Sequence, residues 1–163
     1  MTKLNLGSGP HYMEGYINID NYSQHHGNFR VDQEADFFTL EWENNQIDEI
    51  IASHIAMYID RSWMPILLKR WCGWLKEGGV LIMETGNVKK VVQTILDFDD
   101  PSIIEGDYGM KQLFGWDTTA GHTWAWCPET LKPLFLEGGF TTVNIKNGVF
   151  HNPQRDFLLE GIK

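Results

Sequence analysis

An α/β domain built on a parallel sheet is predicted by three features of the sequence. Short apolar, strand-like runs alternate with segments of helical period. The first such run stops on a glycine turn, Gly7-Ser8-Gly9. No Gly/Ser/Pro-rich linker, internal repeat or low-complexity stretch divides the 163 residues. That length suits a single domain of roughly 150 residues.

The elements follow in order. Lys3-Leu4-Asn5-Leu6 reads as a short strand. Tyr16-Ile17-Asn18-Ile19-Asp20 alternates in strand fashion and ends on an acid. Asp48 to Ser53 is a third strand, and Gly79 to Glu84, apolar on both faces, suits a central parallel strand. Between these two, Ser62 is placed to cap a helix running to about Lys76. Its stripe is Met64, Leu67, Leu68, Trp71 and Leu75. Pro65 falls in the first turn, where a missing N–H matters little. Gly73 costs about 1 kcal/mol against Ala inside the helix, and Gly78 is placed to end it. Asn87 caps a second helix with Val88, Val91, Val92, Ile95 and Leu96 on one face. A third runs from Pro128 toward Glu137 and stops at Gly138-Gly139; Pro133 inside it should kink it or shorten its start. Thr141 to Lys146 and Asp156 to Ile162 are late strands, separated by the turn residues Asn147-Gly148 and Asn152-Pro153.

One stretch fits neither period. Residues 99–127 carry Tyr108, Phe114, Trp116, Trp124 and Trp126 without a clear repeat. A segment of that length inside a compact domain is a lid or binding loop, or hides short helices. Its aromatics read either as a substrate wall or as a satellite core under the loop.

Composition excludes several classes. Thirteen Lys and Arg oppose 22 Asp and Glu, a formal charge of −9. Phosphate binding runs on clustered cations, so no nucleic-acid partner is expected, and the same balance argues against a polybasic membrane anchor. The apolar runs fall far short of the ~20 residues a membrane span needs, and the first residues lack a secretory apolar region. Cys72 and Cys127 form no CxxC pair, so no metal site is expected; Cys72, on a helix core face, reads as a buried inert thiol. The expected setting is the reducing cytosol.

Open α/β sheets bind ligands beyond the carboxyl ends of their strands. Those ends carry Gly7-Ser8-Gly9, Asp20, Ser53-His54 and Thr85-Gly86-Asn87. Small residues let a ligand approach the backbone, whose N–H groups can meet its polar atoms. A carboxylate at Asp20 can accept two hydrogen bonds from a ribose diol. Position 12 is Tyr12, so the third glycine of the dinucleotide fingerprint is absent, and no GxxxxGK[ST] phosphate loop occurs. A nucleoside without phosphates is therefore better supported than a pyrophosphate.

Leu4-Asn5-Leu6-Gly7-Ser8-Gly9-Pro10, then Gly15 to Asp20, then Ala35-Asp36, resembles the class I S-adenosylmethionine-dependent methyltransferases, and within them the small "methyltransferase type 11" group. Ile47 to His54, Leu75 to Leu81 and the His122…Pro128-Glu129-Thr130-Leu131…Gly138-Gly139-Phe140 stretch match as well. The resemblance covers essentially the whole chain. It implies a Rossmann-like, seven-stranded, mostly parallel sheet with helices on both faces and an antiparallel last strand. It implies S-adenosylmethionine as cofactor, with Gly7, Ser8 and Gly9 around its methionine part. Asp20 would hold the ribose hydroxyls, Asp36 the adenine amino group, and Phe37 the side of the ring. Ser53 and His54 would lie near the transferred methyl. The sequence departs from the group at Asn5, where an acid is common. It departs again after His54, where a Glu and a second His give way to Met57 and Tyr58. Only Pro10 to Glu14 remains for the first crossover, too few for a helix.

The expected activity is methyl transfer to a small-molecule or saccharide acceptor. A base speeds transfer to a hydroxyl by roughly 10²–10⁴, and His54 and His122 are the candidates. His11 could touch the cofactor carboxylate; His25, His26 and His151 read as surface or loop residues. The alternatives are a non-catalytic cofactor-binding relative and, less well supported, an NAD-dependent oxidoreductase.

Overall fold

The computed structural model describes residues 1–21, 29–98, 108–115 and 121–163. Its seven strands are β1 (Lys3–Leu6), β2 (Ile17–Asp20), β3 (Gln33–Glu34), β4 (Ile47–Ser53), β5 (Leu75–Gly86), β6 (Thr142–Asn147) and β7 (Asp156–Ile162). The helices are α1 (Met64–Trp74), α2 (Val88–Phe98), α3 (Tyr108–Phe114) and α4 (Pro128–Glu137). The strands form one sheet in the order β3-β2-β1-β4-β5-β7-β6. β1 to β5 run parallel, and β7 is antiparallel to both β5 and β6. The expected mostly parallel, seven-stranded sheet with a reversed last strand is present. Its order turns back between β1 and β4, and a crevice opens beyond the strand ends at such a reversal.

The core lies between the sheet and α1 and α4. Leu67, Leu68 and Trp71 of α1 and Leu131, Leu134 and Phe135 of α4 are buried with Leu4, Ile50, Leu81 and Leu159 of the strands. The cap of α1 differs from expectation. Asp60, rather than Ser62, satisfies the first turn: its Oδ1 accepts from the Ser62 and Trp63 N–H groups at 2.7 and 3.1 Å. The helix also stops earlier, at Trp74. Leu75, fully buried, already pairs with Ile47 in the sheet. Gly78 therefore ends no helix. It sits at φ +76° in a bulge between the Leu75 and Val80 pairings, opposite the single residue Asp48. Lys76 Nζ, 2.9 Å from both Asp48 carboxylate oxygens, pins that bulge.

Pro133 does not shorten α4, which spans Pro128–Glu137 as one helix. A capping pair between Cys127 and Thr130 and three buried apolar side chains hold it together around the missing bond. Along the apolar stripe of α2, Val91 is buried, Val88 and Ile95 are half-buried, and Val92 and Leu96 are exposed. Within the 99–127 stretch, α3 is a hidden short helix. Trp126 belongs to the core, its Nε1 donating to the Ala56 carbonyl at 2.8 Å. Trp116, His25 and His26 lie outside the described residues.

Candidate active site

One cavity of about 650 Å³ opens at the reversal point, a volume suited to a small-molecule ligand. Gly7, Ser8, Gly9, Asp20, Asp36 and Phe37 line one part of it. Ser53, His54 and His122 line another. The structure thus brings all nine sequence-selected residues to a single cavity.

The glycine turn is built by close packing. Gly7 adopts φ +63°, and a Cβ there would fall 2.1 Å from Cγ2 of Ile55. The turn's N–H groups are spent within the protein, contrary to the expectation that they would meet a ligand. Gly7 and Ser8 donate to the Ile19 carbonyl at 2.9 and 3.1 Å. Gly9 donates to Asp20 Oδ2 at 2.9 Å, which fixes the carboxylate beside the turn. The Ser8 hydroxyl is buried without a hydrogen-bond partner among the described residues. A buried polar atom left unpaired is costly, so this hydroxyl suits a ligand that brings one. Asp36 Oδ1 accepts from the Phe38 N–H at 2.8 Å, and the Phe37 and Phe38 rings pack at 4.7 Å. An acid and an aromatic wall thus stand together after β3.

Two residues that the sequence reading left without a role shape this end. Asn5 Nδ2 donates to Asn18 Oδ1 and to the His11 carbonyl, at 2.9 and 3.1 Å. Asn18, fully buried, accepts from Met13 N and donates to the Met13 carbonyl and Asp32. These bonds clamp the crossover that has too few residues for a helix. Asn5 thereby serves the turn's shape.

The other end is a polar cluster. His54 ends β4 at φ +56°, a conformation rare for side chains other than glycine. Its N–H donates to the Glu84 carbonyl at 2.8 Å, and its Nε2 lies 2.9 Å from Asp156 Oδ2. Asp156 is fully buried and also accepts from Arg155 Nε at 2.6 Å and Nη2 at 3.0 Å. Burial works to raise the Asp156 carboxyl, but the bonds and charges of His54 and Arg155 outweigh it and hold it well below the usual carboxylate range. Glu84, equally buried, accepts from the backbone N–H groups of Val149, Phe150 and His151. That anchors a loop whose Phe150 and His151 also line the cavity. His151, expected on the surface, stands half-exposed with its ring 4.6 Å from that of His54. Glu84, His151, Arg155 and Asp156 were not selected from sequence. The available hint was an acid at the end of an otherwise apolar strand.

His54, His151 and Asp156 place ligating atoms within 4.8 Å of one another. The cation among them is already a guanidinium, because Arg155 Nη2 lies 3.0 Å from both His151 Nδ1 and Asp156 Oδ2. His122 Nδ1 lies 3.0 Å from the Gln112 carbonyl and its ring meets Tyr58 edge-on at 5.4 Å. Burial holds His122 below its ordinary pKa despite that bond. Of the insert's aromatics, Trp124 and Trp126 line a smaller pocket next to the large cavity, together with His54 and His122. Among the described residues of the 99–127 stretch only His122 reaches the large cavity, whose rings are Phe29, Phe37, Phe38, Tyr58 and Phe150.

Strand order, reversed last strand and strand-end cavity define the class I S-adenosylmethionine-dependent methyltransferase fold. The same fold occurs in a SAM-dependent methyltransferase from Archaeoglobus fulgidus, at TM-score 0.66 and 15% identity, over 99% of this chain and 86% of that one. An S-adenosylmethionine-dependent methyltransferase from Mesorhizobium loti matches at 0.63 and 13%, over 99% and 90%. The apo form of the methyltransferase SibL matches at 0.64 and 16%, over 99% of this chain but 50% of its own. No protein-family model matches the chain, and no curated protein matches it.

Proposed function

We propose that the chain is an S-adenosylmethionine-dependent methyltransferase acting on a small-molecule or saccharide acceptor. The observation that carries this reading is the single cavity joining the glycine turn, Asp20 and Asp36 to Ser53, His54 and His122. Bound there, the cofactor would supply an electrophilic methyl carbon. Asp20, fixed by Gly9, would accept from the ribose hydroxyls. The Ser8 hydroxyl and the Gly7–Gly9 backbone would border the methionine part, and Asp36 and Phe37 the adenine. His54 and His122 would flank the acceptor. Holding two reactants in place can supply about 7–11 kcal/mol of the barrier, so alignment is the larger part of the protein's work. The net charge of −9 favours a neutral or cationic small acceptor over nucleic acid. Two buried, unpaired cysteines suit a reducing cytosol, and among the described residues no helix is long and apolar enough to cross a membrane.

Calorimetry with S-adenosylmethionine, S-adenosylhomocysteine and NAD tests the reading. The first two should bind and NAD should not. Asp20→Ala should weaken S-adenosylhomocysteine by roughly 10–100-fold, the loss of a charged hydrogen-bond acceptor. Undiminished binding by the variant would remove Asp20 from the site; NAD binding alone would replace the reading with the oxidoreductase.

A further inference from the structure

The geometry points to His54 as the general base of methyl transfer to a neutral hydroxyl acceptor, with Asp156 as the positioning residue that fixes its tautomer. The inference rests on the methyl-transfer reading above and names its acceptor class.

Three observations on separate elements converge on His54. First, its backbone is held at φ +56° at the end of β4, with its N–H tied to the Glu84 carbonyl of β5. Non-glycine residues persist in such conformations where the surroundings over-determine them, and these cluster at active sites. Second, Nε2 faces a carboxylate oxygen of β7 at 2.9 Å. An ionised carboxylate only accepts, so the neutral ring carries its proton on Nε2 and its lone pair on Nδ1. No other hydrogen bond of the ring is seen among the described residues, and His54 is one of the residues that line the cavity. Third, Asp156 is itself locked by Arg155 and by the Asn152 N–H at 3.0 Å, so the base is oriented by a residue that is oriented in turn.

A neutral amine can attack a sulfonium methyl without such a base, whereas a hydroxyl gains from one. Among the described residues, the charged and titratable groups around His54 are Asp156, Glu84, His151, His122 and, across the smaller pocket, Arg155, with Tyr58 and Phe150 as further walls of the cavity. Among the described residues that face His54, no carboxylate is left unengaged to bind a cationic amine: Asp156 and Glu84 are each taken up by internal donors. In the step, His54 Nδ1 takes the hydroxyl proton as the acceptor oxygen bonds the methyl carbon. The carbon–sulfur bond breaks with its electron pair left on the thioether sulfur. The imidazolium, balanced by Asp156, then returns the proton to water.

The test begins with calorimetry of S-adenosylhomocysteine on the full chain. Absence of binding sinks the methyl-transfer reading itself, whatever His54 does. With the ligand bound, ¹⁵N imidazole spectra, assigned by the signal lost in His54→Gln, should show His54 neutral and protonated on Nε2 at about pH 7.5. Asp156→Asn should shift that tautomer. A proton on Nδ1, or an imidazolium at that pH, overturns the base and leaves methyl transfer standing. Catechol and 1,2-diaminobenzene serve as matched acceptor probes. Catechol should be methylated in preference, and His54→Gln should lower its kcat roughly 10²-fold or more with KM little changed and the rise with pH lost. Preference for the diamine, or catechol turnover by His54→Gln within about three-fold of wild type, overturns the inference. Where neither probe is methylated, the tautomer decides. Asp156→Asn leaves Arg155 without its counter-charge; if it fails to fold, His54→Gln, which removes a partly exposed ring, decides in its place.

Discussion

At the scale of single residues, the site is governed by space and by buried donors. Gly7 has no room for a side chain, because Ile55 from the turn after β4 lies where its Cβ would be. Gly7→Ala should cost about 1–2 kcal/mol from the left-handed backbone alone, with the clash added. S-adenosylhomocysteine affinity should fall with it, and thermal denaturation and calorimetry read the two effects separately. A variant as stable as wild type would show that Ile55 swings aside. Asn18 matters for a different reason. Its buried amide closes the Pro10–Gly15 coil onto Asn5 and Asp32. Asn18→Ala strands several of those groups and should destabilise by about 2–4 kcal/mol, as unpaired buried donors do. Urea unfolding measures it, and a loss under about 0.5 kcal/mol would mean the coil holds itself. Gly7 is legible in the sequence because a glycine turn has a local signature. Asn18 is not, because an Asn in an alternating strand looks like a solvent-facing residue until its partners are known.

At the scale of elements, local period located most of the fold and misjudged its boundaries. β1 and β7 fall where the pattern puts them, since each is bounded by turn residues. β3 went unseen: Gln33 and Glu34 are two polar residues made a strand by their pairing with Ile19 and Asp20. The end of α1 was misplaced because Leu75 completes a helical stripe and also starts β5. Pairing with Ile47 decided between them. α4 offers the clearest test. Pro133 is exposed and denies the helix one internal hydrogen bond. Pro133→Ala restores that N–H to the Glu129 carbonyl and should stabilise by about 1–2 kcal/mol, less than the full interior-proline penalty because the unfolded chain gains freedom too. A lower melting temperature would mean that the proline ring itself packs usefully.

For the molecule as a whole, the glycine-turn half of the cavity was legible from end to end, whereas in the other half Ser53, His54 and His122 were legible without the partners that hold them. Gly7 to Asp36 lie in one continuous stretch of under a fifth of the chain, where strand, turn, strand and acid follow in order. His54 and Asp156 are 102 positions apart, and only the antiparallel return of β7 beside β5 makes them neighbours. The same assembly sets how stability answers to pH. Burial lowers His122, and burial with the charges of His54 and Arg155 lowers His151. Each then binds a proton less readily folded than unfolded. Their contribution is complete above the unfolded value of about 6.5 and is lost as pH falls through the depressed folded value. Asp156, also depressed, adds a second loss below about pH 4, where the unfolded carboxyl protonates and the folded one resists. Relaxed self-repulsion of a chain of charge −9 works the other way over the same range. The comparison that isolates the imidazole is therefore wild type against His122→Gln. Between about pH 8 and pH 5 the wild-type melting temperature should fall more steeply than that of the variant, the two curves converging at the acid end. Parallel curves would show that His122 takes up its proton equally in both states and that burial does not restrain it.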